Sequence, residues 1–420
     1  MELTDLVVNR CSQAVYYLVS RTLLSMKGKY AIRSVVYAGL VAWLLAFGIS
    51  VSGVAAGERI AFVSSEGENN VMVIDLNAEK MIKTLPTGAI PHAMATAPGG
   101  RIYVNNRGSK DLTVIQADSW SVVKTIVLPA ISFQLAVSPD GRTLAVAYKD
   151  ALKLSFIDTA NDTIVKTVDL GKLPEGEFKT PMVKHPYWSP DGKFVYAPDA
   201  VNGTLVKVNV AQGSIEKVIT LPGGSHYLHP SSDSKVLYSV NEKTKGGTSL
   251  TLIDATTDTI IKDMPVPLTD GEKGLGHHGA FSPDNRYFFF CNEGGSHISV
   301  FDTANREWAK TIRTGKGPGH PSLSRDGKYF FIVHHNDGVI SVIDLAKQEN
   351  IKDIRIGNGT KQAHASYFTP DGKFFYAVAS DEKLLTKIDV ARMEVVSTIP
   401  VPAKSMFFGI KEDDTFPPTE

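Results

Sequence analysis

From about residue 58 to the C-terminus the chain repeats one order of apolar and polar positions. Each copy holds a short apolar run, then a turn of the Ser-Pro-Asp-Gly kind. A strand follows, such as Phe194-Val195-Tyr196 or Tyr329-Phe330-Phe331-Ile332-Val333, then a polar loop, a strand of V-x-V-I-D type, and a last strand such as 164–168 or 308–312. The turn recurs at Ala97-Pro98-Gly99-Gly100, Ser138-Pro139-Asp140-Gly141, Ser189-Pro190-Asp191-Gly192, Ser231-Ser232-Asp233-Ser234, Ser282-Pro283-Asp284-Asn285, Ser324-Arg325-Asp326-Gly327 and Thr369-Pro370-Asp371-Gly372. Proline presets φ at the second position, and glycine or asparagine accepts positive φ at the fourth.

Four short strands in each repeat of about 41–51 residues predict an all-β fold, a β-propeller. The V-x-V-I-D strands fall at 71–75, 112–116, 154–158, 205–209, 250–254, 298–302, 340–344 and 385–389, which makes eight, against seven Ser-Pro-Asp turns. The first blade starts at its second strand, Arg59-Ile60-Ala61-Phe62-Val63. The C-terminal run Ser405-Met406-Phe407-Phe408-Gly409-Ile410 can supply the missing inner strand. This predicts an eight-bladed β-propeller closed by a C-terminal strand, which leaves no open edge. Seven blades, the alternative, would leave one V-x-V-I-D strand unplaced.

The first 57 residues break the pattern. Residues 34–56 carry no charge, follow Lys27, Lys29 and Arg33, and end in small residues. The expected organisation is an N-terminal signal peptide or membrane anchor over 1–57, the propeller over 58–412, and a tail over 413–420. Either form of the leader exports the propeller, to the periplasm. Met26 is a second possible start. Cys291 is the one cysteine of the exported part, so that part has no internal disulfide. No C-x-x-C-H motif exists for covalent haem. Cys291 itself, after Phe288-Phe289-Phe290, reads as a small buried hydrophobe. Formal net charge is 0, with no long basic run, so nucleic acid is not an expected partner.

Candidate chemistry lies in the histidines. His92, His226, His277 and His364 fall six residues before the turn's proline position, and His185, His278 and His320 five before it. These are the entries to the inner strands. His334 and His335 lie in a loop after a second strand, on the same face, and His229 lies further down an inner strand. Imidazole is a ligand for Cu, Zn, Fe or Ni and for haem iron. The metal candidates are His92, His229, His277, His334 and His335. Recurrence in register also suits a purely structural role, in which Gly276-His277 and Gly319-His320 fix their own turns. Glu175, Glu177, Glu242 and Glu293 are acid or base candidates, and the insert 171–180 is a lid or a loop. No nucleophile elbow, P-loop or dinucleotide fingerprint is present. The glycine-rich segment 315–319 leads into no helix.

The motifs SPDGKFVYAPD, the V-x-V-I-D strands and the K-T-I closings resemble the YVTN-type bacterial propellers. KHPYWSPDGKFVYAPD (184–199) and AKSMFFGI (403–410) are similar to the d1-haem domain of cytochrome cd1 nitrite reductases and to its single-domain relatives in d1-haem maturation. The resemblance implies that His185, His226, His278, His320 and His364 face a d1-type haem or its bound ligand, with Arg107 and Lys184 meeting its carboxylates. An N-terminal cytochrome c domain is lacking, so a nitrite reductase proper is not expected. The reading that follows is an exported propeller that binds a tetrapyrrole or a transition metal at a His-rich funnel. It would be a carrier or maturation factor rather than an enzyme, with a periplasmic redox protein as possible partner. A protein-interaction scaffold and a lactonase- or amine-dehydrogenase-like enzyme are the alternatives.

Overall fold

The structure, a computed structural model, describes residues 59–171, 182–244, 247–269, 271–358 and 363–412. The leader, the tail, and all but Gly171 of the 171–180 insert, including Glu175 and Glu177, lie outside these. The described residues form eight four-stranded antiparallel sheets. Seven are consecutive in the chain. The eighth joins Ser405–Glu412 to Arg59–Ser65, Asn70–Asp75 and Lys80–Pro86. The ring is therefore closed as the sequence predicts, with Ile60 opposite Lys411 and Ala61 opposite Ile410. Seven blades are ruled out. We number the blades 1 to 8 from Arg59 onward.

The apolar runs are explained by where each strand sits. The third strand of blade 1 buries Val71, Met72, Val73 and Ile74 completely, on both its faces. That is possible because each blade lies between two others, and the core is the space between them. Phe331, Val333, Ile340 and Val342 of blade 7 pack with Phe368, Phe375 and Ala377 of blade 8. Tyr367, Tyr376 and Val378 of blade 8 meet Ala61, Val63, Met72 and Ile410 of blade 1. Outer strands alternate with solvent and leave apolar residues such as Val127 and Val165 exposed.

The turns hold themselves. In Ser138-Pro139-Asp140-Gly141, Ser138 Oγ donates to Asp140 Oδ1 (2.6 Å) and accepts from the Thr143 N–H (3.0 Å). The fourth position has φ of 74° at Gly141, and 57° at both Ser234 and Asn285. Between blades, an outer-strand lysine reaches the next blade. Lys124, Lys166, Lys262 and Lys352 donate to the carbonyls of Asn161, Ala211, Arg306 and Arg392 (3.0–3.4 Å).

Candidate functional site

Every inner strand begins with the same irregularity. Ser225 pairs with Asn241, but Tyr227 pairs with Val240; Gly276 pairs with Asn292, but Gly279 with Phe290. The same one-residue shift occurs at His92-Ala93, Phe133-Gln134, Gly319-His320, His364-Ala365 and in the closing strand. In blade 4 it falls between the Val183–Asp199 bridge and Tyr187. A bulge sets two residues of one strand against one of its partner and re-aims their side chains. The two histidine offsets read from the sequence are thus the two positions of one bulge, and both point into the mouth of the central channel.

A second tier stands above it. In blades 1 to 7 the N–H of the residue after the second strand, or in blade 5 of Glu242 within Val236–Thr244, donates to a carbonyl ahead of the inner strand at 2.7–3.1 Å. This places Glu66, Arg107, Lys149, Ala200, Glu242, Glu293 and His335 at equivalent points around the rim.

Together the tiers build an arc of imidazoles. Ring centroids lie 5.2 Å apart for His185 and His226, 4.0 Å for His226 and His277, 4.7 Å for His277 and His278, and 4.3 Å for His278 and His320. The arc continues from His320 to His364 (4.6 Å) and His335 (5.2 Å), and His92 stands 6.1 Å from His364 at its end. Blade 7 shows how its neighbours fit. Where blades 5, 6 and 8 carry a first-position histidine, blade 7 has Gly319, and a Cβ there would sit 2.6 Å from His335 Nε2. His335 fills from the rim the place that Gly319 leaves.

Not every candidate joins the arc. His334 is fully buried in blade 7, its Nε2 2.9 Å from Ser341 Oγ. His229 lies deeper, its Nε2 accepting from the Gly279 N–H (3.2 Å) and its ring against Phe288. His297, which the sequence reading left without a role, pairs with Glu272 (2.7 Å) in blade 6. A cavity of about 280 Å³ lies beneath the arc, lined among others by Tyr227, His229, His278, His320, Ser322 and His364.

The electrostatics favour neutral imidazoles. Burial, helped by repulsion from neighbouring imidazoles or cations, holds His185, His226, His277, His278, His320 and His364 well below their ordinary pKa. Burial lowers His92 to about 4 although Glu66 opposes it. Rim carboxylates fix several rings: His92 Nδ1 lies 2.5 Å from Glu66, His226 Nδ1 2.5 Å from Glu242, and His335 Nδ1 3.2 Å from Glu293. The buried atoms His277 Nδ1, His278 Nε2, His320 Nε2 and His335 Nε2 have no hydrogen-bond partner among the described residues. Buried imidazole nitrogens without a partner suit a metal ion, and a carboxylate on the opposite nitrogen is what orients such ligands. Glu66 escaped the sequence reading. Its signal was an equivalent position towards the end of the second strand, shared with Glu242 and Glu293.

The other side of the mouth is cationic. The Arg107 guanidinium lies 4.3 Å above the Phe133 ring and Lys184 Nζ 5.8 Å from it, and Lys184 also pairs with Glu242 and touches His226 Nδ1 at 3.2 Å. Burial lowers Arg107 to about 10, and it stays charged at neutral pH. Cys291 is fully buried in the core between blades 6 and 7, and burial pushes its thiol up. Among the described residues no helix is long and apolar enough to cross a membrane.

A family model described as a YNCE-like beta-propeller matches residues 41–187. No curated protein matches the chain in sequence. Among solved structures, the dihydro-heme d1 dehydrogenase NirN in complex with DHE is similar, at 20% identity and a TM-score of 0.70, over 84% of this chain and 75% of that one. Apo AztD from Citrobacter koseri is similar at 13% identity and a TM-score of 0.59, over 84% of this chain and 98% of that one. The hydrazine synthase of Kuenenia stuttgartiensis follows at 17% identity and 0.55, over 72% and 96%. Such likenesses speak to architecture alone. The chain is an eight-bladed β-propeller whose first blades match the YNCE-like model and whose fold is similar to that of NirN.

Proposed function

We propose that this protein is an exported propeller whose histidine arc binds a transition-metal ion, and that it acts as a carrier or maturation factor. One observation carries the reading. Among the described residues, ligand atoms of His185, His226 and His278, of His277, His278 and His320, and of His320, His335 and His364 each gather within 4.8 Å of one another. A structural role for these histidines would leave their ring nitrogens hydrogen-bonded to protein, and four buried ones are not. Export, to the periplasm, is supported by the uncharged stretch 34–56 behind Lys27, Lys29 and Arg33, with the leader over 1–57, the propeller over 58–412 and a tail over 413–420. A periplasmic redox protein is the partner such a carrier would serve.

A tetrapyrrole such as d1-type haem is the second reading. It is favoured by Arg107 and Lys184 beside the flat Phe133 ring, placed to meet carboxylates, and by the fold shared with NirN. The full chain, purified from its native compartment, separates the two. Elemental analysis is expected to find stoichiometric metal, with a Soret band only if a tetrapyrrole carries it. His277→Ala/His278→Ala should lower the metal content. An unchanged signal in that variant overturns the assignment. Protein free of both ligands that retains a stable partner would point to the scaffold role.

A further inference from the structure

The His185–His226–His278 triad and the His320–His335–His364 triad share no residue. Each contains one imidazole whose Nδ1 is held by a rim carboxylate: His226 by Glu242 and His335 by Glu293. Those carboxylates occupy the same rim position in successive blades, so the second-sphere support is duplicated along with the ligands. Held in this way, each ring presents Nε2 as its donor. His278 Nε2 and His335 Nε2, one in each triad, are buried without a partner among the described residues.

We infer that the arc holds two late first-row divalent ions at once, one on each triad. This rests on the reading of the mouth as a metal site. Three imidazoles bind each ion and leave a position open for a water or an exchanging ligand, as in three-ligand zinc sites. Glu293 offsets part of the added charge, whereas Glu242 is shared with Lys184. The His277–His278–His320 group between the triads is the competitor, because an ion there takes His278 from one triad and His320 from the other. So is His277–Glu293–His335, which would draw on His335 and its carboxylate. Occupancy is therefore two outer ions, a single ion in the centre, or one ion on His185–His226–His278 beside one on His277–Glu293–His335, an arrangement that His364→Ala would leave at two ions and that would overturn the inference.

Metal counting decides between them. The full chain, stripped with chelator and re-equilibrated with Zn²⁺, is expected to retain two ions by elemental analysis, and two steps should appear in a Co²⁺ absorption titration. His185→Ala and His364→Ala should each retain one ion, and the double variant at most one, on a group that includes His277. Glu242→Gln and Glu293→Gln keep side-chain shape and guard against misfolding. Each should weaken one of the two steps about 10- to 100-fold and leave the other unchanged. One ion in the native chain, lost in both His278→Ala and His320→Ala, puts it in the centre and overturns the two-ion inference while the metal reading survives. Loss of both ions from either outer variant overturns their independence. No retained ion at all overturns the metal reading itself.

Discussion

Neighbouring histidines in this chain meet opposite fates, and the backbone decides which. His277 and His278 both enter the mouth because a bulge cancels the alternation that would send one of them to the other side. His334 and His335 are separated by that same alternation. The first ends a regular strand and turns into the blade, while the second is the rim residue. The sequence shows two doublets with nothing to tell them apart, since the register shift comes from pairing across strands. Burial lowers His334 and His92 to about 4 and His229 to about 3, from an ordinary 6.5. The unfolded chain therefore takes up these protons first. The stability gained by keeping the rings neutral is complete above about pH 6.5 and is lost as pH falls toward 4. The slope is up to about 1.4 kcal/mol per pH unit for each histidine. Urea midpoints of metal-free protein should fall steadily from pH 7.5 to pH 5, and less steeply in His334→Asn. A flat profile would refute the burial argument.

Among elements, the turn between the third and outer strands is the most uniform feature of the molecule. Four residues past the end-position of each third strand the backbone is left-handed. The residues are Glu79, Trp120, Asp162, Gly213, Asp258, Arg306, Gln348 and Met393, with φ of 47–65°. Three residues further on, each outer strand carries a register shift, at Val165 in blade 3 and at Ile351 in blade 7. The aspartate of V-x-V-I-D sets up the turn: Asp158 Oδ1 accepts the N–H groups of Ala160 and Asn161, both at 2.9 Å. Only one of the eight left-handed positions is glycine, so composition hid what the aspartate spacing could have revealed. Gln348→Gly should be neutral or stabilising by up to about 1 kcal/mol, and Gln348→Val should destabilise by about 1–2 kcal/mol. Chemical denaturation of the two variants checks this. Equal midpoints would show that the conformation carries no strain. The strand order and Ser-Pro-Asp turns were legible because they are local in sequence. The rim position of Glu66 was not, because it depends on a blade built from both ends of the propeller.

Across the whole molecule, stability depends on closure. Lysine staples tie outer edges blade to blade, and Ser405–Glu412 seals the inner edge of Arg59–Ser65. A chain ending at residue 402 should expose that edge, associate, and lose a single cooperative melt. A monomer melting at the native temperature would refute closure as the source of stability. A peptide of residues 403–412 should restore the monomer. The closing contact also has a consequence in time. Among the propeller's strands, the one that seals the ring is the last to leave the ribosome, and the strand it seals is among the first. Until then Glu66 and His92 have no fixed relation to His364 across blade 1, so an unfinished copy has no complete mouth. Any role of the mouth that needs His92 beside His364 therefore begins only once the last strand is in place.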